Sequence, residues 1–209
     1  MYYNLFSNKK PKWSKVQVKD EKKEKIIETA TKIFSRFGMK KSTMDEIAHR
    51  IRIGKSTLYH YFESKEEIFN EVVKKEAETF KLYLKEELRQ AQTPEDKFRV
   101  YAKTRMKYLM ELVNYYSTLT DAYLDMYTFA ERVRKDFAEF EISTISGIFR
   151  EGIEKKVFEI ENIDLTAKIV TVAFKGFEYM LMTKEWDPEF EDQLDMLIDM
   201  FYKGIKRKV

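Results

Sequence analysis

Apolar residues recur every three or four positions along most of this chain, which is the spacing of one buried face of an α-helix. A first helix is predicted over about 22–37, where Ile26, Ala30 and Ile33 share a face and Gly38 supplies the left-handed residue that ends it. The 209 residues include only 6 Gly and 3 Pro, so few positions interrupt helices. The pattern therefore predicts an all-α protein.

Two short helices separated by a tight turn follow the first helix. Residues 43–46 have the spacing of a capping box, in which a threonine hydroxyl and a glutamate carboxylate each accept a backbone amide at the start of a helix. That helix breaks at Arg52–Gly54, and a second short helix is predicted over about 55–62. A further capping box at 64–67 starts a long helix. This arrangement is typical of a helix-turn-helix.

The rest of the chain is also predicted to be helical. Further helices are expected from Pro94 to about 113, over 117–127 and 130–154, from an Asp164 cap to about 184, and after Asp187-Pro188-Glu189. We therefore expect about nine helices, in a three-helix domain over 21–65 and a larger helical domain over 66–209. Residues 1–20 carry several lysines without helical periodicity, and they are predicted to be a flexible basic arm.

Charge is distributed unevenly between the two ends of the chain. The net charge of +3 combines +9 over residues 1–65 with −6 over the remainder. A basic end on an acidic body is expected where that end meets a polyanion such as nucleic acid. A basic surface that arose by chance would give the same count, so charge alone leaves both explanations open.

Composition argues against several kinds of chemistry. The chain has no Cys and only 2 His, both within the helix-turn-helix region, so no metal site or catalytic constellation is recognised. No cofactor is predicted, and the protein is not expected to be an enzyme. The N-terminus lacks the pattern of a signal peptide, and no segment has the roughly 18 to 20 uninterrupted apolar residues of a membrane span. A cytoplasmic location with no membrane partner is expected.

The helix-turn-helix region resembles the TetR family of bacterial transcriptional regulators. The likeness is carried by residues 43–69, TMDEIAHRIRIGKSTLYHYFESKEEIF. The family pattern has Ile-Ala in the second helix, Lys-x-Thr-Leu-Tyr-x-x-Phe in the third, and Lys-Glu-Glu followed by an apolar residue at the start of the fourth. The resemblance covers about a quarter to a third of the chain, and beyond it the agreement is in length and helical character. It implies a homodimer that binds a DNA operator and responds to a small molecule.

The third helix carries most of the candidate DNA contacts. Lys55, Ser56 and Thr57 open it with side chains that can reach base edges in a major groove, where Lys can donate to guanine O6 and N7. Thr43 and Lys65 are expected at phosphates, the lysine because it lies in the first turn of the next helix. By resemblance, and with His60 added as a neighbour, the full set is Thr43, Lys55, Ser56, Thr57, Tyr59, His60, Tyr61 and Lys65. The alternative for each is an ordinary surface or capping residue.

Two positions depart from the family pattern. Arg52 stands in the turn where the family usually has glycine, so a strained or altered turn is expected there. Gly54 stands where a small capping residue such as serine or threonine is usual, and glycine is an acceptable cap. Both departures lie next to the third helix and bear on its angle.

By resemblance, the larger domain should contain a pocket for a small hydrophobic or aromatic effector. Aromatic and methionine side chains between residues 98 and 182 are suitable lining groups. The candidates are Tyr101, Met106, Tyr108, Tyr123, Met126, Tyr127, Phe174 and Phe177. Ordinary core packing is the alternative for any one of them.

The last two helices are the candidate dimer interface. The helix over 164–184 is apolar on nearly every side, and the final helix carries an apolar stripe. The candidate residues are Val170, Ala173, Phe177, Met180, Leu194, Leu197, Ile198 and Phe201. Two copies could form a four-helix bundle and bind a palindromic operator. The alternative is that both helices close the core of a single protomer.

These observations predict a repressor that leaves its DNA operator when a small hydrophobic ligand binds. In this hypothesis the helix from Ser64 connects the pocket to the DNA-binding domain, and the ligand shifts the population between two conformations. A helix-turn-helix protein that binds or compacts DNA without an effector is the alternative.

Overall fold

The computed structural model describes residues 21–115, 131–183 and 189–206. The described residues form eight helices: α1 (Glu21–Phe37), α2 (Met44–Ile51), α3 (Lys55–Tyr61), α4 (Lys65–Gln90), α5 (Pro94–Tyr115), α6 (Glu131–Glu154), α7 (Ile163–Thr183) and α8 (Phe190–Ile205). This confirms the all-α prediction. The basic arm at 1–20, the short helix at 117–127 and the Asp187-Pro188 part of the last cap lie outside the described residues.

Side-chain caps set the start of several helices. The Ser64 hydroxyl accepts the Glu67 amide at 3.2 Å, which confirms the predicted start of α4. The Glu67 carboxylate accepts the amide of Glu63 at 2.7 Å, one residue before the partner that a capping box predicts. For α7 the predicted Asp164 cap is wrong. Asn162 Oδ1 accepts the Leu165 amide at 2.9 Å, because Asn162 is the residue that precedes the first helical turn.

The N-terminal helices enclose their own apolar core. Helix α1 contributes Ile26 and Phe34 to this core, α2 contributes Ile47 and α3 contributes Leu58. All four side chains are nearly inaccessible to solvent. The first turns of α4 complete this core with Ile68, Phe69 and Val72. The N-terminal core therefore continues past the domain boundary that the sequence predicts at residue 65.

The larger core lies among α4, α5, α6, α7 and α8. Its buried aromatic side chains include Phe80 of α4, Phe98 of α5, Phe149 of α6 and Phe174 of α7. The rings pack in tilted pairs, with centroids of Phe98 and Phe149 5.6 Å apart. Because α4 contributes to both cores, it is the structural link between the two helical groups.

The end of α6 is joined to the end of α8 by a short backbone contact. Phe158 pairs with Lys206 in an isolated antiparallel bridge, and the Glu159 amide donates to the Ile205 carbonyl at 2.7 Å. The buried ring of Phe158 lies against Gly152, where an added Cβ would overlap it. Glycine is therefore required at this position by the close approach of the ring.

The described ranges contain neither a membrane-spanning helix nor a metal-binding cluster. None of their helices is long and apolar enough to cross a bilayer. The same ranges contain no group of three or more His, Cys, Asp or Glu side chains placed to hold a metal ion.

Candidate nucleic-acid interface

The candidate interface begins at the N-terminus of α2. Thr43 has an extended backbone (φ −125°, ψ 155°), and its hydroxyl oxygen accepts the Glu46 amide at 3.2 Å. Among the described residues, no bond returns from the Thr43 amide to the Glu46 carboxylate, so half of the predicted capping box is formed. Thr43 is exposed at this end of α2. Its structural role as a cap is thus established, and its side chain remains accessible to a phosphate.

The turn between α2 and α3 is left-handed at Arg52. This residue has φ 63° and ψ 44°, a conformation that glycine adopts easily and other residues adopt at a cost. The amide of Arg52 donates to His49 at 3.1 Å, and the amide of Ile53 donates to Ala48 at 3.1 Å. These two bonds form a Schellman motif that satisfies the last carbonyls of α2. The strained turn expected from the sequence is therefore present, and its geometry is that of a glycine turn with arginine in it.

Helix α3 is fixed by its inner face and exposes its outer one. Leu58 is fully buried, and Phe62, which follows the last residue of α3, is nearly so. The residues on the opposite side are exposed, namely Lys55, Ser56, Tyr59 and His60. Thr57 and Tyr61 are half-buried, and Tyr61 packs against the N-terminal core. The structure thus brings four of the predicted residues onto one open face and places the other two at its border.

Lys55 is held by a carboxylate that the sequence did not single out. Its Nζ lies 2.8 Å from Oδ1 and 3.1 Å from Oδ2 of Asp45, across the turn between α2 and α3. The hydrogen bond to Asp45 raises the pKa of Lys55, with a further contribution from the attraction of the two charges. No sequence signal identifies this pair, because the ten-residue separation becomes a contact only when the turn folds α3 back beside α2.

Lys65 was predicted to bind phosphate, and the structure assigns its ammonium to the protein itself. Its Nζ donates to the carbonyl oxygens of Met39 at 3.1 Å, Lys40 at 3.1 Å and Ser42 at 3.2 Å. Three N–H donors meet three acceptors, so none remains for a phosphate oxygen in this arrangement. Lys65 therefore fixes the segment between α1 and α2, which leads directly into Thr43.

Further basic residues lie around the same end of the domain. Arg36 and Arg50 approach the ring of Phe37, with the guanidinium carbons 5.1 and 6.0 Å from its centroid. Lys40 and Lys41 are exposed in the segment that precedes Thr43. In the sequence these residues resemble an ordinary solvated surface, and their position near the helix-turn-helix adds positive charge to this end of the domain.

The predicted pocket residues of α5 and α7 lie in the protomer core. Tyr101, Met106, Tyr108 and Phe174 are buried, and Phe177 is half-buried, while Tyr123, Met126 and Tyr127 lie outside the described residues. The two buried phenols already donate hydrogen bonds, Tyr101 to Glu141 Oε1 at 2.8 Å and Tyr108 to the Glu76 carbonyl at 2.9 Å. Both phenols thus have hydrogen-bond partners within the protein.

Glu141 is the centre of a buried polar network. It forms an ion pair with Arg105, and both side chains are nearly inaccessible to solvent. The guanidinium also lies 6.0 Å from the ring of Phe174. Burial, more than the neighbouring charge of Glu141, raises the pKa of Tyr101 well above its ordinary value, so this phenol stays protonated as a donor.

The predicted dimer residues divide into core and surface. Val170, Leu194 and Ile198 are buried in the protomer core, so the structure corrects their assignment to an interface: a side chain already covered by its own chain has no surface left for a partner. Phe177, Leu197 and Phe201 are half-buried against that core, and Ala173 and Met180 are also half-buried. The exposed apolar residues of the two helices are others: Leu165, Ile169, Val172, Met196 and Met200.

The exposed face of α3 and the larger core of α4 to α8 together define a helix-turn-helix protein with a larger helical domain. Residues 26–72 match the sequence profile of the bacterial regulatory proteins of the tetR family. The helix-turn-helix region of this chain is therefore similar to the DNA-binding region of that family.

Relatives and solved structures agree with this assignment. The chain is 46% identical over 52 residues to the uncharacterized HTH-type transcriptional regulator YhgD of Bacillus subtilis, an alignment that covers 25% of this chain and 27% of that protein. It is 26% identical over 161 residues to the HTH-type transcriptional regulator QacR of Staphylococcus aureus, covering 74% of this chain and 82% of QacR. The crystal structure of a transcriptional regulator from Cytophaga hutchinsonii superimposes with a TM-score of 0.73 at 29% identity, covering 90% of this chain and all of that one. The likeness therefore includes the C-terminal helices as well as the helix-turn-helix.

Proposed function

We propose that this protein is a homodimeric, sequence-specific DNA-binding repressor that a small hydrophobic ligand releases from its operator. The observation that carries the proposal is the exposed face of α3, where Lys55, Ser56, Tyr59 and His60 stand on a helix anchored from behind by Leu58. A short helix with polar side chains on its open face can enter a major groove and donate to base edges. Thr43, Thr57 and Tyr61 would contact the flanking backbone.

The uneven charge of the chain supports binding to a polyanion. Residues 1–65 carry a net charge of +9 and the remainder −6, so the net positive charge belongs to the part of the sequence that contains the helix-turn-helix. Phosphate contacts supply affinity and orientation, while the side chains of α3 supply sequence preference.

Dimer formation through α7 and α8 is part of the proposal. Leu165, Ile169 and Val172 are exposed on α7, and Met196 and Met200 are exposed on α8. Five large apolar side chains exposed on these two helices are expected to be covered by a second copy. Two-fold symmetry would place the two α3 helices about 34 to 36 Å apart, one turn of B-DNA.

The effector would act on the core between α5 and α7. Tyr101 and Phe174 face each other there, with ring centroids 5.8 Å apart, next to the buried pair of Arg105 and Glu141. The Tyr108 hydroxyl connects α5 to the Glu76 carbonyl of α4, which continues into the N-terminal core. A hydrophobic ligand that repacks α5 would therefore bias the position of α4, provided that its affinity differs between the two conformations.

The proposal is tested by selecting bound DNA from a random pool with the purified full chain. The expected result is one palindromic sequence with half-sites about one helical turn apart. A panel of hydrophobic and aromatic compounds is then screened for a rise in melting temperature and for release of the selected DNA. Binding without any preferred sequence would contradict the proposal and support an architectural DNA-binding protein. A selected operator that no compound releases would contradict the effector part alone.

A further inference from the structure

The lysine at the start of the α3 face is neutralised by a neighbour in the free protein. Asp45 lies in the first turn of α2 and contacts Lys55 Nζ through both carboxylate oxygens, at 2.8 and 3.1 Å. Both side chains remain well exposed, at 59% for Lys55 and 65% for Asp45. The pair therefore lies on the surface that DNA would approach and is not part of either core.

An exposed pair of this kind contributes little to folding, since water and salt screen it. Its effect on a DNA-binding surface is larger. The Lys55 ammonium donates a hydrogen bond to Asp45 Oδ2 and lies 2.8 Å from Oδ1, and the carboxylate repels any phosphate that comes close. A phosphate would have to displace Asp45 from Lys55 while bearing the same sign of charge.

We propose that Asp45 is a specificity-determining positioning residue, which withholds Lys55 from DNA phosphates and yields it only to a base edge in the operator. This inference rests on the proposed function, because it requires that α3 enter a major groove. Guanine offers two acceptors, O6 and N7, at fixed positions that can replace the two carboxylate oxygens of Asp45. Other sequences offer no such replacement, so Asp45 weakens binding to them selectively.

The inference is tested with Asp45→Asn in the full chain, which keeps the shape of the side chain and removes its charge. Binding of the selected operator and of a random-sequence duplex is measured between 50 and 200 mM salt. Freeing Lys55 in both protomers adds two phosphate contacts per dimer. Each contact contributes about 0.9 to the slope of log K against log salt, so the slope on random DNA should steepen by about 1.8. Affinity for random DNA at 50 mM salt should rise about three- to tenfold, and the preference for operator should fall by the same factor.

Glu46→Gln is the matched control, because it removes a carboxylate from the same turn of α2 without touching the pair. Its effect on random DNA should be smaller, and Asp45→Asn should have no effect on the salt slope in a Lys55→Met background. An unchanged salt slope in Asp45→Asn, or an equal gain in Glu46→Gln, would overturn the inference. If the wild-type chain selects no sequence at all, the proposed function fails, and the slopes on random DNA still decide whether Asp45 withholds Lys55.

Discussion

Replacing Lys65 by methionine should destabilise the protein and leave the salt dependence of DNA binding unchanged. The substitution keeps most of the apolar stem and removes the ammonium that donates to Met39, Lys40 and Ser42 at 3.1 to 3.2 Å. These carbonyls belong to the segment that connects α1 to α2. Without the ammonium, that segment loses the bonds that bring it to the start of α4.

The size of the effect follows from the surroundings of the three carbonyls. Hydrogen bonds to a charged donor contribute about 1.5 to 3 kcal/mol each where water cannot replace them. The contacts to Met39 and Ser42 are partly buried and the contact to Lys40 is exposed, so water would restore part of the loss. We expect the free energy of unfolding to fall by about 1 to 3 kcal/mol in total.

Urea denaturation measures this loss, with Lys32→Met as the control. Lys32 is an exposed lysine of α1, and its replacement should change stability by no more than about 0.5 kcal/mol. A lysine that binds phosphate would behave differently: stability would be unaffected, and the salt slope of DNA binding would fall by about 0.9 per protomer. That result would refute the conclusion that the Lys65 ammonium is bound by the backbone carbonyls of its own chain.

Three further substitutions test other parts of the structure. Arg52→Gly should stabilise the protein by up to about 1 kcal/mol in urea denaturation, because relief of the left-handed conformation outweighs the added freedom of the unfolded chain; a loss would show that the arginine side chain makes a stabilising contact. Gly152→Ala should lower the free energy of unfolding by about 1 to 3 kcal/mol, because the added methyl group overlaps a buried ring. Gly147→Ala in the same helix meets nothing within 4 Å and should raise the free energy of unfolding by about 0.5 to 1 kcal/mol. Equal effects of the two substitutions would contradict the packing described. Val172→Glu, at a side chain that is 66% exposed, should produce monomers in sedimentation experiments, and Leu82→Glu on α4 should not; a dimer in both would place the interface elsewhere.

The helices and their order were largely predictable, because the signals that define them are local. The predicted start of α3 at Lys55 and the end of α6 at Glu154 agree with the structure. Buried positions such as Ile47 and Leu58 follow the helical period, so the inner face of the helix-turn-helix could also be predicted. A strained turn at Arg52 could be predicted because arginine stands where the family pattern usually has glycine.

The contacts of Lys65 and Lys55 depend on tertiary structure, and they could not be predicted from the sequence. Lys65 meets acceptors 23 to 26 residues away, and Lys55 meets a carboxylate ten residues away. Apolar residues on α7 and α8 could not be divided into core and surface, because both helices are apolar on more than one side. Val170 and Val172 have the same chemistry, yet one is buried and the other is exposed.

Helix α4 is a rigid connection between the two cores. Its 26 residues span about 39 Å and include neither glycine nor proline, so it has no hinge between Val72 in one core and Phe80 in the other. A tilt of about 5° at one end would move the other by about 3 Å, which is close to the rise of one base pair. Small rearrangements around Phe80 would therefore reach the DNA-binding end as a shift of about one base-pair step, enough to put paired recognition helices out of register with their half-sites.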